Sequence, residues 1–559
     1  MLPPNESPKV LIVGAGPSGL ILALSLRRNG IPVRVVEKTT EHRKGQRGAG
    51  IMPRSLEVFH FLGLLPKITA SMIDVPVMRM YKKHEGVEIV KDLTITPYLD
   101  PTPSIPYINI KLLGQDNLDK IFRAELEKCG CEVELGVEFQ HMEQYDDHVK
   151  VTLLKHSLDG SAEPVKEEAS YDWVVGADGA KGAVRKKMGL KLFGETTLYN
   201  FATGDFKLEG LVPDRWHMWG EMATTMISIR PTEVSGVFNF IIGGLQLEDT
   251  SALCASRETI IHAIKVYIGN HAEALTFGEM LYLSSGRINI RMAESFRNRR
   301  AFLVGDAGHV HSQTGGQGMN TGVQDAFNLG WKLALVMKGH SSHRLLDTYD
   351  EERIPVVAQM LQITEKILDR TAANSGADGG WDRSGHLNQL GVNYRWSFIV
   401  LDEERKLKGP EFAKTTTYDA DPRFGVYAGD RAPDASGLVR VGSQAGTGVR
   451  QFEVYDPTRH TILVFSNEVD GALLTSVNVY SRELVLACVI VGRGKGVPEL
   501  TRVDRTSLMI LEDSDGHAYD SYMRVDAART VYVIRPDGVV GARVGSMDGV
   551  KSYFAKIFT

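Results

Sequence analysis

Cysteine is scarce in this chain, four among 559 residues. Cys129 and Cys131 are separated by a single position, and Cys254 and Cys488 stand alone. No disulfide framework and no C-x-x-C pair can be drawn from them, and such usage fits a reducing, cytoplasmic setting. Long apolar runs are lacking as well: the longest, Leu484 to Val491, falls far short of a membrane span. Met1 to Ser7, with Pro3 and Pro4, has neither the charged nor the apolar region of a secretory signal. Positive charge is in deficit, 64 Lys and Arg against 69 Asp and Glu, for a net charge of −5. Without a basic surplus to neutralise phosphates, no nucleic-acid partner is expected, and no membrane partner either. The remainder is ordinary for a folded globular chain, 43% hydrophobic and 24% charged. Its length suits roughly two to four domains. Glycine alone is plentiful, 56 residues, and it gathers in the motifs that follow.

Lys9 to Val13 reads as a short buried strand, and Gly14-Ala15-Gly16-Pro17-Ser18-Gly19 follows it directly. Leu20 to Arg28 keeps helical periodicity up to Asn29-Gly30, a helix stop. Ile31 to Glu37 is a second apolar strand that closes on an acid. This is G-x-G-x-x-G in the order strand, glycine turn, helix, strand, acid. The glycines let the backbone approach a pyrophosphate at the helix N-terminus, where unpaired N–H groups and the dipole favour an anion. Glu37 lies 18 residues beyond Gly19, in register for a ribose 2′-OH, which favours FAD or NAD over NADP. By itself the motif does not separate FAD from NAD.

Two later segments bear on that choice. Asp172 to Ala180 is a strand entering a tight turn at Asp178-Gly179, and a helix follows through Val184-Arg185. Ala301 to His309 ends a buried strand on Asp306, where a carboxylate can bind a polyol hydroxyl. Gly315-Gly316-Gln317-Gly318-Met319-Asn320 then opens a helix that continues through Trp331 and Lys332. Bare N–H groups at such a helix start suit negative charge developing on a reduced flavin ring.

These segments, in this order, resemble the group A flavoprotein aromatic hydroxylases, single-component FAD monooxygenases related to 4-hydroxybenzoate and phenol hydroxylase. Arg47 and Arg54, within Gln46 to Glu57, look like that family's FAD-facing arginine segment. Gln115, with Leu118 and Asp119, is similar to its Gln-x-x-Leu-Glu, and Leu345 to Pro355 matches the helix that closes the FAD domain. The resemblance implies tightly bound, non-covalent FAD. Gly14, Gly16, Pro17, Ser18, Gly19 and Glu37 would hold its adenosine half; Arg47, Arg54, Gln115, Asp178 and Asp306 would complete the site. Gly316, Gly318, Met319 and Asn320 would face the flavin ring. NAD(P)H, expected as NADPH, would dock transiently, because no second strand–G-x-G-x-x-G–helix unit is present. O2 would then form a flavin C4a-hydroperoxide that hydroxylates a phenolic aromatic, with oxidative decarboxylation of a hydroxybenzoate-like acid as a variant. The alternative is an FAD halogenase or another flavin oxidoreductase of the superfamily, but no Trp-x-Trp-x-Ile-Pro run follows the fingerprint. A non-catalytic flavoprotein is a remoter reading, since the flavin loop is intact.

Departures from the family pattern shape the chemistry expected. Gln313 stands where a proline precedes the glycine loop, Gly182 where serine is common, and Ala49 where phenol hydroxylases carry an active-site aspartate. The substrate proton must therefore leave by another group, His311 or a residue of the substrate sheet such as Tyr199 or His217. Gln313 does not titrate and would orient a phenol or carboxyl oxygen. His311 and Gln313 are thus the catalytic candidates, and a readily ionised substrate follows, either a hydroxybenzoate-like acid or an acidic polyketide phenol. His309-x-His311 offers too few ligands for a metal, and none is expected.

The fold class expected is α/β: a Rossmann-type FAD-binding domain, an inserted β-sheet substrate domain and a C-terminal thioredoxin-like domain. The FAD-binding domain takes residues 1–185 and 286–360. The substrate sheet takes 76–110 and 193–285, with strands at 199–208, 217–230 and 235–245. Residues 361–424 read as a helix and connector. Residues 425–559, with strands at 461–465, 484–491, 531–535 and 539–544, resemble the thioredoxin-like unit of the phenol-hydroxylase branch. Without C-x-x-C this unit reads as structural and homodimer-forming, with Cys488 in its core.

Overall fold

Four aliphatic residues in a row, Val10–Val13, are buried throughout, the pattern of a parallel strand covered on both faces. They lie between Val33–Glu37 and Trp173–Gly176, both parallel to them, with Val10 opposite Val33 and Trp173. Val133–Leu135 and Ala301–Leu303 extend this ladder, and Arg297–Asn298 closes one edge antiparallel, making six strands. The computed structural model describes residues 7–82, 86–247, 250–312, 315–373, 385–404, 417–418, 420, 425–441, 448–466, 479–494, 508–522 and 530–559.

Helix Pro17–Arg28 starts on a proline, whose fixed φ and missing N–H suit the first position. It stops at Gly30, φ +75°. Its partner is helix Gly318–Met337, and the seam between them is built from small residues. A Cβ on Gly322 would come within 2.3 Å of Ser18 Oγ, and one on Gly330 within 2.3 Å of Ser25 Oγ. The 27-residue helix Asp347–Ala373 completes this unit, and Tyr349 donates from its hydroxyl to the Leu303 carbonyl at 2.8 Å.

A second sheet of eight strands rests on a long antiparallel pair, Leu192–Glu209 and Thr276–Ala293. Val237–Gly244, Met226–Pro231 and Arg215–Gly220 continue it, followed by Val77–Tyr81 and Ile89–Leu93. Helix Arg257–Ile268 covers one face, setting Ile260, Ile264 and Ile268 against Phe206, Trp219, Ile229 and Phe240. Two expectations change here. The single strand expected at 217–230 is two, because Gly220 (φ +73°) reverses the chain and a Cβ there would meet the Thr225 carbonyl at 2.2 Å. The boundary expected at 286 falls inside Thr276–Ala293, whose far end pairs with His309–Val310. A separate three-stranded antiparallel sheet comprises Val137–Gln144, Val149–Lys155 and Val165–Tyr171.

The C-terminal region builds another large sheet, of eight strands among the described residues. His460–Phe465 runs parallel to Val485–Gly492, and on its other side the hairpin Thr530–Ile534/Val540–Val544 is antiparallel. Helix Met547–Phe554 follows the hairpin. Each of the four strands expected here lies within one residue of its observed ends. Cys488 is fully buried mid-strand, and burial pushes its thiol up to about 12.

Paired charges join this sheet to the first unit. Glu352 accepts from Arg535 Nη1 at 2.8 Å and Nη2 at 2.9 Å, from Lys332 Nζ at 2.8 Å and from Ser397 Oγ at 2.7 Å. Asp537 takes the Trp331 indole N–H at 3.1 Å. Such a cluster is tolerable inside a protein only because each charge has its partner. Among the described residues, no helix is long and apolar enough to cross a membrane.

Candidate functional site

The three fingerprint glycines do different work. Gly14 (φ +107°) turns the chain so tightly that a Cβ would strike the Ala177 carbonyl at 2.3 Å. Gly19 lets helix and strand touch, its Cβ position being 2.2 Å from the Gly14 carbonyl. Gly16 is different: a Cβ there would meet only Arg43 Nη1, at 3.8 Å. The space beside Gly16 is therefore open, edged by a guanidinium and by a helix start with no side-chain cap. A bare helix N-terminus next to a cation fits a diphosphate, so the residues present suit the adenosine half of FAD. Pro17 is buried at the first helical position. Glu37 Oε2 accepts from Ala15 N at 3.2 Å, placing the carboxylate against the glycine turn.

Ser18 ties this half to the next. A Cβ on Gly305 (φ +58°) would meet its hydroxyl at 2.4 Å, so the strand end carrying Asp306 is packed directly on the fingerprint helix. Asp306 itself is exposed and free to meet a polyol. Behind it runs a buried network that the sequence did not announce. Asp325 accepts from Gly305 N at 3.1 Å and from Arg353 Nε at 2.7 Å, and pairs with His309 Nε2 at 2.7 Å. The Arg353 guanidinium holds that carboxyl below its usual range against the upward push of burial. Asp178 caps the short helix Ala183–Lys187, accepting from Ala183 N at 2.6 Å and Val184 N at 3.1 Å.

The glycine loop opens helix Gly318–Met337, again with no side-chain cap. Gly315 (φ +91°) and Gly316 (φ +64°) are both left-handed. Asn320 clamps the loop to the arginine segment, accepting from Met52 N at 2.8 Å and donating to the carbonyls of Gly50 (2.9 Å) and Gly316 (2.7 Å). Met319 is half-buried at the second helical position. Gly318 is required by a neighbour: a Cβ would lie 2.1 Å from His311 Nε2. The His311 ring thus rests on the start of the helix, its Nδ1 bonded to the Ser312 carbonyl. Burial lowers its pKa, partly offset by Asp306. Gln313 lies outside the described residues.

The second sheet closes over this region through polar contacts at Gln46. Its backbone N–H donates to Asp205 Oδ2 at 2.7 Å, and its side-chain oxygen accepts from Arg230 Nη2 at 2.8 Å. Asp205 also takes Asn239 Nδ2 at 2.8 Å. Beside them the exposed Arg47 sits over the Tyr282 ring, 5.8 Å from its centroid. Alternation along Arg215–Gly220 puts Trp216 and Met218 on this side and His217 and Trp219 on the other. His217 is accordingly withdrawn as a base. It is fully buried under helix Arg257–Ile268, bonded to the Tyr81 hydroxyl (2.7 Å) and the Val212 carbonyl (2.8 Å), and burial lowers it to about 4.

Arg54 is corrected as well. Its guanidinium is buried, held by Glu57 Oε2 at 2.7 Å and the Asp537 carbonyl at 2.8 Å, so it serves the seam with the C-terminal sheet. Arg431 meets the same Glu57 from the other side at 2.7 Å. Gln115 begins helix Gln115–Lys128 and is half-buried. Arg43 was not among the expected site residues, and Gln46 opened the expected arginine segment without a role of its own, although both lie in the same short stretch as Arg47.

A diphosphate cradle joined through Ser18 to a second uncapped helix start defines a flavin-binding oxidoreductase of the α/β class. Within that class the chain belongs to the family of the FAD binding domain, whose model matches residues 7–364. It is a group A flavoprotein hydroxylase by that membership and by its relatives. A flavin-dependent monooxygenase of Mycobacteroides abscessus is 32% identical over 556 residues, 98% of this chain and 99% of that protein. Pentachlorophenol 4-monooxygenase of Sphingobium chlorophenolicum is 27% identical over 561 residues, covering 96% and 94%. The crystal structure of aklavinone-11 hydroxylase with FAD and aklavinone shares the fold over 99% of both chains, with TM-score 0.79 and 22% identity.

Proposed function

We propose that this protein is a single-component FAD-dependent monooxygenase that uses NAD(P)H, preferably NADPH, and O2 to hydroxylate a phenolic aromatic compound. The observation that carries this reading is the loop at Gly315–Asn320. Two left-handed glycines lead into an uncapped helix start, clamped to residues 50–52 beside the dinucleotide cradle. When bound, the flavin supplies hydride acceptance and oxygen activation, chemistry that no side chain provides. The chain's own residues then have distinct tasks. Gly16 and Arg43 receive the diphosphate, Glu37 the adenosine ribose and Asp306 the ribitol. The helix amides stabilise negative charge on the ring. The sheet held by Gln46, Asp205 and Arg230 excludes water above it. His311 donates its Nδ1 hydrogen to the Ser312 carbonyl, which leaves Nε2 to accept a phenol proton. Gln313 keeps the role of orienting the substrate oxygen.

The substrate class is a phenol that ionises readily, a hydroxybenzoate-like acid or a polyketide phenol. Relatives named for pentachlorophenol and aklavinone support an acidic or polycyclic phenol over phenol itself. The FAD-binding unit is assigned to 1–185 with 286–360 and the substrate sheet to 76–110 with 193–285, Thr276–Ala293 passing between them. The parallel pair, antiparallel hairpin and closing helix at 460–554 support a thioredoxin-like C-terminal unit, which without C-x-x-C is structural and mediates a homodimer. The test is direct. Purified protein should be yellow and release intact FAD on denaturation. Phenolic acids and polycyclic phenols should be screened for stimulated NADPH oxidation, with mass spectrometry for one added oxygen. Colourless protein, or no phenol that stimulates turnover, refutes the reading; phenol outperforming every acidic phenol refutes the substrate class.

A further inference from the structure

Helix Gly318–Met337 lacks a cap of its own, yet its first turn is gripped by the connector that leads to the C-terminal sheet. Gln389, in that connector, is fully buried at φ +60°, a left-handed backbone unfavourable for a residue with a Cβ. Its side-chain Nε2 donates to Gln317 Oε1 at 2.7 Å and to Thr321 Oγ1 at 3.2 Å. Its Oε1 accepts from Gln324 Nε2 at 2.6 Å. Gln317 in turn donates from Nε2 to the carbonyls of Gly315 (2.9 Å) and Leu387 (3.1 Å). Three buried glutamine amides therefore form a ladder from the connector to the two left-handed glycines.

The ladder has a directional effect. In a trans peptide the carbonyl of one residue and the N–H of the next point in opposite directions. Fixing the Gly315 carbonyl on Gln317 therefore aims the Gly316 N–H away from the ladder. Fixing the Gly316 carbonyl on Asn320 Nδ2 likewise aims the Gln317 N–H away from Asn320. Left-handed Gly316 (φ +64°) followed by right-handed Gln317 (φ −83°, ψ −25°) is the backbone of an anion-binding nest, in which successive N–H groups converge. The connector is anchored farther on, where the Tyr394 hydroxyl accepts from Arg353 Nη1 at 2.8 Å and Ser397 donates to Glu352.

We infer that Gln389 is a positioning residue for the flavin loop: acting through Gln317, it sets the direction of the Gly316 N–H, which together with the Gln317 N–H set by Asn320 receives the flavin's pyrimidine edge. The inference rests on the proposed reading of this loop as flavin-binding. Gln389→Gly keeps the left-handed backbone and deletes the amide; Gln324→Met keeps helix and shape and removes the ladder's outer rung. Apoprotein affinity for FAD, the flavin midpoint potential and the fraction of oxidised NADPH released as H2O2 are measured for both, beside a thermal melt. For Gln389→Gly, loss of the buried hydrogen bonds should weaken FAD binding about tenfold. The potential should fall, because the reduced anion loses its donors, and the H2O2 fraction should rise. Gln324→Met should move the same three readouts in the same direction and by less. Wild-type values for all three in both variants overturn the inference while leaving the functional reading intact. A wild-type protein with no affinity for FAD overturns both.

Discussion

At the scale of single residues, the three fingerprint glycines are not interchangeable, because a Cβ would meet backbone at Gly14 and Gly19 and open space at Gly16. Gly19 crowds the carbonyl of Gly14, a neighbour in the same motif, whereas Gly14 crowds Ala177 and Gly16 meets only Arg43, partners that lie farther along the chain and that the motif does not reveal. That distinction makes a prediction. Gly14→Ala forces a Cβ against backbone at a positive φ and should lower folding stability by about 1–3 kcal/mol or more. Gly16→Ala meets open space and should leave the apoprotein's melting temperature unchanged while weakening FAD binding. Denaturant titration of the two apoproteins, with FAD titration of Gly16→Ala, checks it; equal loss of stability in both contradicts it. Gly318 tests His311 in the same way. Gly318→Ala must push the imidazole off the helix start, and coupling of NADPH oxidation to product should drop more than FAD affinity does. Undiminished coupling would remove His311 from the chemistry.

At the scale of elements, strand positions came from apolar patterning, and the C-terminal strands were found within a residue of their ends. Faces were a harder matter. Which side of Arg215–Gly220 looks toward the site depends on where helix Arg257–Ile268 packs, and no local pattern in the strand encodes that. Trp216, His217 and Trp219 looked equivalent in sequence; only the packing separates them. Gly220 was the one available signal for the hairpin that splits 217–230. Arg54 illustrates the same limit, because its carbonyl partner belongs to Asp537, in the last sheet. The face assignment is testable through His217, which is neutral and already bonded at both ring nitrogens. His217→Gln should leave the pH dependence of kcat unchanged and cost about 1–3 kcal/mol of stability, since a buried polar partner is left unsatisfied. A displaced pH profile with unchanged stability would return His217 to the list of bases.

At the scale of the whole molecule, the C-terminal sheet is fastened by groups that must keep fixed protonation states. Glu352 must stay ionised between Lys332 and Arg535, and the flanking aromatic cage must stay uncharged. His460 lies in that cage, fully buried, with Trp331, Tyr553, Phe554 and Phe558 around it at 5.3–6.0 Å between ring centroids. Burial, reinforced by the nearby Arg535 charge, lowers its pKa to about 3. In the unfolded chain the same imidazole titrates near the ordinary value of about 6.5. Between these two values the unfolded state binds the extra proton, so stability is complete above about pH 6.5 and falls as pH drops toward 3. One such group contributes a slope approaching about 1.4 kcal/mol per pH unit in the middle of that window. His460→Phe puts a ring of similar shape in the same apolar cage and removes the titration. Any packing cost it carries is the same at every pH, so the comparison is between slopes and not absolute stabilities. Urea unfolding of both proteins from pH 7 to pH 4 should show the wild type losing stability more steeply than the variant below pH 6.5. Parallel curves across that range would mean that His460 takes up no proton on unfolding and does not contribute to the acid sensitivity of the protein.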